Sequence, residues 1–146
     1  MNRPSMLLGA LLLAAPALTA PLALAQERIS ATTGAEVYII APRDGAKIHG
    51  PVTVRFGLKG MGIAPAGVKF DNTGHHHLLV DTDLSELNLG APLPATEKTL
   101  HFGKGQTETT LTLPPGKHSL ELLFADAQHL SFDPALHSKK ITIIVE

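Results

Sequence analysis

Three consecutive histidines, His75, His76 and His77, are the side chains of this sequence best placed to do chemistry. They run into Leu78-Leu79-Val80, and Asp71-Asn72-Thr73-Gly74 stands before them as a turn. A short apolar run bounded by turn residues reads as a buried β-strand. Side chains alternate along a strand with a rise of about 3.3 Å per residue, so His75 and His77 share one face, about 6–7 Å apart at Cα. His76 points the other way, with Leu78 and Val80. Two imidazoles on one face can chelate a single metal ion, or they can hydrogen-bond the wall of a cleft.

Two further histidines sit where loops could bring them to that face. His101 stands beside the glycine-rich turn Gly103-Lys104-Gly105-Gln106, and His129 follows Asp126 in a loop after a strand-like segment. Loops held on a rigid scaffold are where binding sites gather. If both loops reach the strand, His75, His77, His101 and His129 form a set of three or four imidazole ligands. Neutral imidazole suits zinc, copper, iron and nickel. The sequence has no cysteine, so no thiolate can join the set, and the expected ion is copper(II) or zinc.

The remaining candidates have plainer readings. His76 reads as a histidine at the core edge with a satisfied hydrogen bond. His49, His118 and His137 are isolated and read as ordinary surface or core residues. Met61 is soft enough for copper(I), but a loop methionine more often packs. Asp81 and Asp83 read as solvated or turn-forming acids at a strand end, not as a catalytic pair, and Glu108 as a surface residue. No glycine-rich phosphate loop opens a helix, and no Gly-x-Ser-x-Gly elbow is present.

The elements that must carry these histidines are strands. Residues 36–40 are β-branched and aromatic, and residues 52–58 alternate, with Val52, Val54, Phe56 and Leu58 expected inward and Thr53 and Arg55 outward. Residues 107–113 place Leu111 and Leu113 inward; residues 117–126 place Leu120, Leu122 and Phe124 on one face; residues 139–145 close the chain. Pro and Gly punctuate between them, at 42–45, 50–51, 60–67 and 114–116. Asp83-Leu84-Ser85-Glu86-Leu87 allows a helical turn that Pro92 and Pro94 keep short. The pattern predicts an all-β fold, an immunoglobulin-like antiparallel β-sandwich of about seven strands. The Cys-Trp-Cys signature of antibody domains is absent.

Residues 1–25 read as a signal peptide. Arg3 opens it, an apolar run from Met6 to Ala15 follows, Pro16 and Pro21 interrupt it, and Ala23-Leu24-Ala25 offers a small-x-small cleavage site. The mature chain, residues 26–146, is expected to be a single β-sandwich domain, periplasmic or secreted, with no membrane span after cleavage. Without cysteine it carries neither a lipid anchor nor a disulfide, so packing must stabilise it. Of the 12 Lys and Arg only Arg3 precedes Gln26, which leaves 11 bases against 13 acids, a formal charge of −2. No basic patch marks a nucleic-acid partner.

Several segments carry a resemblance. Pro42-x-Asp44-Gly45-Ala46, Pro65-Ala66-Gly67, Gly74-His75-His76-His77-Leu78-Leu79-Val80-Asp81 and Leu100-His101-Phe102-Gly103-Lys104-Gly105-Gln106-Thr107-Glu108 resemble an exported bacterial family, the domain-of-unknown-function family 4399. Leu113-x-Pro115-Gly116-x-His118-x-Leu120 and Asp126-x-x-His129 add to it. The resemblance runs from about Val37 to Val145 and implies that His75 to His77, His101 and His129 are family motif positions. It implies no activity. It also implies a further histidine three residues after His129, where this chain has Phe132, and hence a smaller or more open ligand set here.

Taken together, the sequence reads as a histidine-rich metal-binding module of the periplasm that binds, buffers or delivers copper or zinc, with the metal ion or an envelope protein as its partner. Two other readings fit the same residues. One is a structural or ligand-binding envelope module whose histidines form a hydrogen-bonded cluster. The other is a metal-dependent enzyme, since three histidines with an open position permit hydrolytic or redox chemistry, although no general base stands out.

Overall fold

Alternating β-branched and apolar segments separated by Gly and Pro turns build two packed sheets. The computed structural model describes residues 27–146, so the expected signal peptide and its cleavage site lie outside the described residues. The strands are β1 Glu36–Ala41, β2 Lys47–Ile48, β3 Val52–Lys59, β4 Gly62–Ile63, β5 Thr73–Val80, β6 Thr99–His101, β7 Glu108–Leu111, β8 Gly116–Ala125 and β9 Ile141–Val145. A 3-10 turn, Leu84–Glu86, occupies the segment where the sequence allowed a helical turn, with Asp83 at its N-cap position and Asp83 N donating to Glu86 Oε1 at 2.9 Å. No helix among the described residues is long and apolar enough to cross a membrane.

The smaller sheet has the order β1-β3-β7, and the larger β2-β9-β8-β5-β4, with β6 also pairing β5. The long pairings are antiparallel, as expected; the two-residue strands β2 and β4 add short parallel pairings to β9 and β5. Their brevity explains why alternation did not reveal them. Between the sheets lies the main core: Val52, Val54 and Phe56 of β3 meet Leu78 and Val80 of β5, Leu120 and Leu122 of β8, and Ile143 of β9. Burying each such side chain contributes about 1.5–3 kcal/mol. Leu111, the last residue of β7, and Leu113 beyond it reach this core only partly buried.

The central pair β5 and β8 is buried on both faces. His76, Leu78 and Val80 stand opposite Phe124, Leu122 and Leu120 on the inter-sheet side, while His75, His77 and Leu79 stand opposite Ala125, Leu123 and Glu121 on the outer side. That outer face is covered: Leu93 packs on Leu123 and Ala125, with Leu84, Leu87, Leu89 and Ala135 around them. The near-continuous apolar character of both strands follows from this double burial.

The lead before β1 is tied to the body of the fold. Arg28 Nε donates to Ser131 O at 3.0 Å, a second guanidinium nitrogen donates to Phe132 O, and Asp133 N donates to Ile29 O at 2.9 Å. A guanidinium fork facing backbone carbonyls anchors a segment whose composition alone reads as polar coil.

Candidate metal centre

The register of β5 places His75 and His77 on its outer face, both with no solvent exposure. Antiparallel pairing with β6 puts His101 directly opposite His77, on the same face. The turn after β8 brings in His129. Its ring centroid lies 4.8 Å from that of His101, 5.0 Å from His75 and 6.2 Å from His77. The rings of His75, His77 and His101 are 5.0–5.1 Å apart pairwise. Each of these three offers a ring nitrogen, and the three atoms lie within 4.8 Å of one another, close enough to hold one metal ion. The four expected candidates therefore converge, on the outer face of the larger sheet.

Local chemistry fixes His101 at the end of β6 and His129 in the turn after β8. Gly103 lies against the His101 imidazole so closely that a Cβ there would overlap Cε1 and Nε2 of the ring. Gly103 O accepts a hydrogen bond from Ala66 N at 2.9 Å, and Ala127 O accepts one from Gly67 N at 2.8 Å, so the segment beyond β4 links both loops. Asp126 Oδ1 accepts from Gln128 N (2.8 Å) and Leu130 N (3.0 Å), and Asp126 O accepts from His129 N (3.0 Å). These bonds hold His129 in the left-handed region at φ 66°. His129 O accepts from Leu93 N at 2.8 Å, which ties the turn to the covering segment.

The imidazoles are poised as neutral ligands. Burial, with the neighbouring His129 and His101 adding to it, pulls His75 down to about 4, against a smaller upward pull from the Asp126 carboxylate. Burial and the surrounding histidines pull His77 down to about 2. His101 is lowered by burial and by His129. Near pH 7 these rings keep their lone pairs. Yet both nitrogens of His75 and of His77, and Nε2 of His101, are buried without a hydrogen-bond partner among the described residues. A buried polar group left unpaired costs about 1–3 kcal/mol, and an ion held by one nitrogen of each ring would pair three of the five. An all-imidazole set fits zinc or copper.

His76 departs from its expected role. It is fully buried in the inter-sheet core, 5.2 Å from the Phe56 ring and 5.0 Å from the Phe124 ring, and neither of its nitrogens has a hydrogen-bond partner among the described residues. Burial and the adjacent His75 hold it down at about 4. It is an aromatic core residue, not a hydrogen-bonded edge residue. Phe132 is stacked on Phe124 at 6.1 Å, in a small aromatic group with that ring. The isolated histidines have ordinary partners: His49 pairs with Glu146, His118 with Asp81 and Pro114 O, and His137 with the buried Glu121. Asp81 and Asp83 are likewise occupied, the second by Lys140, and Glu108 pairs with Arg55 at the surface.

The model of the family described as Domain of unknown function (DUF4399) matches residues 54–146, the stretch that holds all four converging histidines. The chain belongs to the DUF4399 family. No curated relative matches this DUF4399 protein. Among solved structures it is similar to the endo-beta-1,4-mannanase from Thermotoga petrophila, with 19% identity and a TM-score of 0.44 over 77% of this chain. It spans only 20% of that enzyme's chain.

Two features of the DUF4399 site went unread in the sequence. Gly103 reads in the sequence as part of a glycine-rich turn beside His101; in the structure its neighbour is the His101 ring. Asp126 reads in the sequence as part of the Asp126-x-x-His129 motif, without a role; in the structure its carboxylate caps the turn that holds His129. A cleft of about 480 Å³ lies beside the Asp126–Gln128 turn, rimmed by the exposed Ile29, Val68 and Phe70, but none of the four histidines lines it.

Proposed function

We propose that this protein is an exported metal-binding module in which His75, His77, His101 and His129 hold copper or zinc for binding, buffering or delivery in the periplasm. The observation that carries the reading is the cluster of five buried, unpartnered ring nitrogens on three converging imidazoles. Ligation would satisfy one nitrogen on each ring, three of the five, and burial keeps the rings in the neutral form that ligation needs. Asp126, close enough to favour positive charge on His75, offsets part of an ion's charge. The rival hydrogen-bonded cluster is disfavoured by the same nitrogens, which have no partner to bond. Export rests on the leader-like residues 1–25, and intact-mass measurement of protein from the cell envelope, expected to begin at Gln26, tests it.

The metal reading is tested on protein purified without a polyhistidine tag or a nickel column. Elemental analysis should find copper or zinc near one per chain, and titration calorimetry of the metal-free protein should give a Kd well below millimolar. Replacing His75 or His77 by Ala should weaken binding at least tenfold, about 1.4 kcal/mol. Binding of neither ion below millimolar overturns the proposal.

A further inference from the structure

The four histidines are not equivalent, and the difference assigns them separate tasks. Resting on the metal reading above, we infer that His129 is the exchange ligand of the site. The ion is retained by His75, His77 and His101 and enters and leaves by way of His129.

Depth gives the first argument. His75 and His77 are sealed within β5, whereas His101 and His129 are partly exposed. An ion arriving from solvent meets the outer pair first. Spacing gives the second. The triad's nitrogens are mutually within 4.8 Å, while the His129 ring is adjacent to His101 and His75 but 6.2 Å from His77. His129 is thus placed to hand an ion to His101 and His75 without itself reaching His77.

The backbone gives the third. His75, His77 and His101 stand in a paired ladder that fixes their Cα–Cβ directions. His129 stands in a turn whose backbone is held from both sides, by Asp126 and by Leu93. Its main chain is a fixed pivot, and its partly exposed side chain can swing by rotation about its own bonds without opening any loop. Ligand exchange at a four-coordinate ion proceeds one ligand at a time, and the ligand that detaches without backbone motion detaches first.

Rates distinguish an exchange ligand from an ordinary fourth ligand. Stopped-flow mixing of metal-free protein with Zn(II) or Cu(II), read by a chromophoric indicator for free metal, gives kon. Transfer from loaded protein to excess EDTA gives koff. His129→Asn is the first variant, because Asn tolerates the left-handed backbone at this position; His129→Ala is the second, and circular dichroism confirms the fold of each. Because His129 lies on the route both in and out while the triad sets the affinity, kon and koff should fall together in these variants, each roughly tenfold or more, with Kd changed by no more than about threefold, whereas His77→Ala should act mainly by raising koff, the usual route for affinity changes. If His129→Asn raises koff as His77→Ala does while kon holds, His129 is only a fourth ligand and the inference is overturned. Unchanged rates overturn it as well. An unsubstituted protein that binds neither ion removes the metal reading itself, a result separable from both.

Discussion

His77 and His101 are direct cross-strand partners on β5 and β6, their ring centroids 5.1 Å apart. The ladder therefore does for this pair what strand alternation does for His75 and His77: it fixes two imidazoles on one face before any ion is present. Preorganised donors of this kind spare an ion the ordering of its ligands.

That relationship makes Gly103 a test of geometry separate from ligand identity. A methyl group at Gly103 would overlap Cε1 and Nε2 of His101, so Gly103→Ala must push the ring out of the cluster. The residue is not in the left-handed region, so Ala meets no backbone penalty there. Zinc or copper affinity should fall about as far as in His101→Ala, tenfold or more, or about 1.4 kcal/mol, with the circular dichroism spectrum retained. Undiminished affinity in Gly103→Ala, measured by titration calorimetry, would show that His101 is not a ligand in the position described.

His76 yields an unusual expectation for a residue in the middle of a histidine run. Its ring is packed between Phe56 and Phe124 with both nitrogens unpartnered. Replacing it by Leu removes a desolvated polar group while nearly filling its space, so stability should hold or rise by about 1–3 kcal/mol. Metal affinity should be unaffected, because His76 lies on the opposite face of the strand from His75 and His77. Urea denaturation and calorimetry of His76→Leu measure both. A large loss of stability would mean that the ring has a partner after all.

The sequence showed the histidine face and the sandwich because both rest on local period-two alternation. The shared face of His75 and His77, and the inward positions of Val52, Val54, Phe56, Leu120 and Leu122, all follow from that rule. Convergence of His101 and His129 could be posed but not decided, since it depends on which strands pair, and pairing is nonlocal. The anchoring of the lead by Arg28 was invisible for the same reason: its partner carbonyl at Ser131 is 103 residues away. The aromatic enclosure of His76 needed three strands to be in register at once. Gly103 and the β4 pairing were hidden in a segment whose Gly and Pro content says turn and nothing more.

His118 supplies a second pH-dependent element, far in character from the cluster. Its Nδ1 donates to Asp81 Oδ2 at 2.7 Å and its Nε2 donates to Pro114 O at 2.8 Å. Both partners are acceptors, so the ring is bound as the imidazolium, and the hydrogen bond to Asp81 raises its pKa above 6.5. A raised folded-state value contributes stability that is fully present below the unfolded pKa near 6.5 and is lost as pH rises through the folded value. The stability gap between the unsubstituted protein and His118→Leu should therefore narrow on going from mildly acidic to alkaline pH. A gap independent of pH, or a His118 titration by NMR below 6.5, would contradict the assignment.

The buried cluster acts in the opposite direction, and metal should modulate it. His75 and His76 are lowered to about 4 and His77 to about 2, chiefly by burial. Between these values and 6.5 the unfolded chain binds more protons than the folded one, so stability must fall as pH drops below about 6.5. For His76 alone the shift from 6.5 to about 4 is worth on the order of 3 kcal/mol, at about 1.4 kcal/mol per unit. Metal-free protein should therefore lose Tm steeply through mildly acid pH. Saturating zinc or copper should raise Tm at neutral pH, with a gain of about 2.7 kcal/mol when free metal is a hundredfold above Kd. Chelation by EDTA should reverse that gain, and acid should erase it, because protons compete for the same nitrogens. His76→Leu separates the two contributions: it should keep the metal-dependent rise in Tm and blunt the acid sensitivity of the metal-free protein. Stability of the metal-free protein that stays flat from neutral pH to about 4 would mean that the histidines are solvated and not buried as neutral donors.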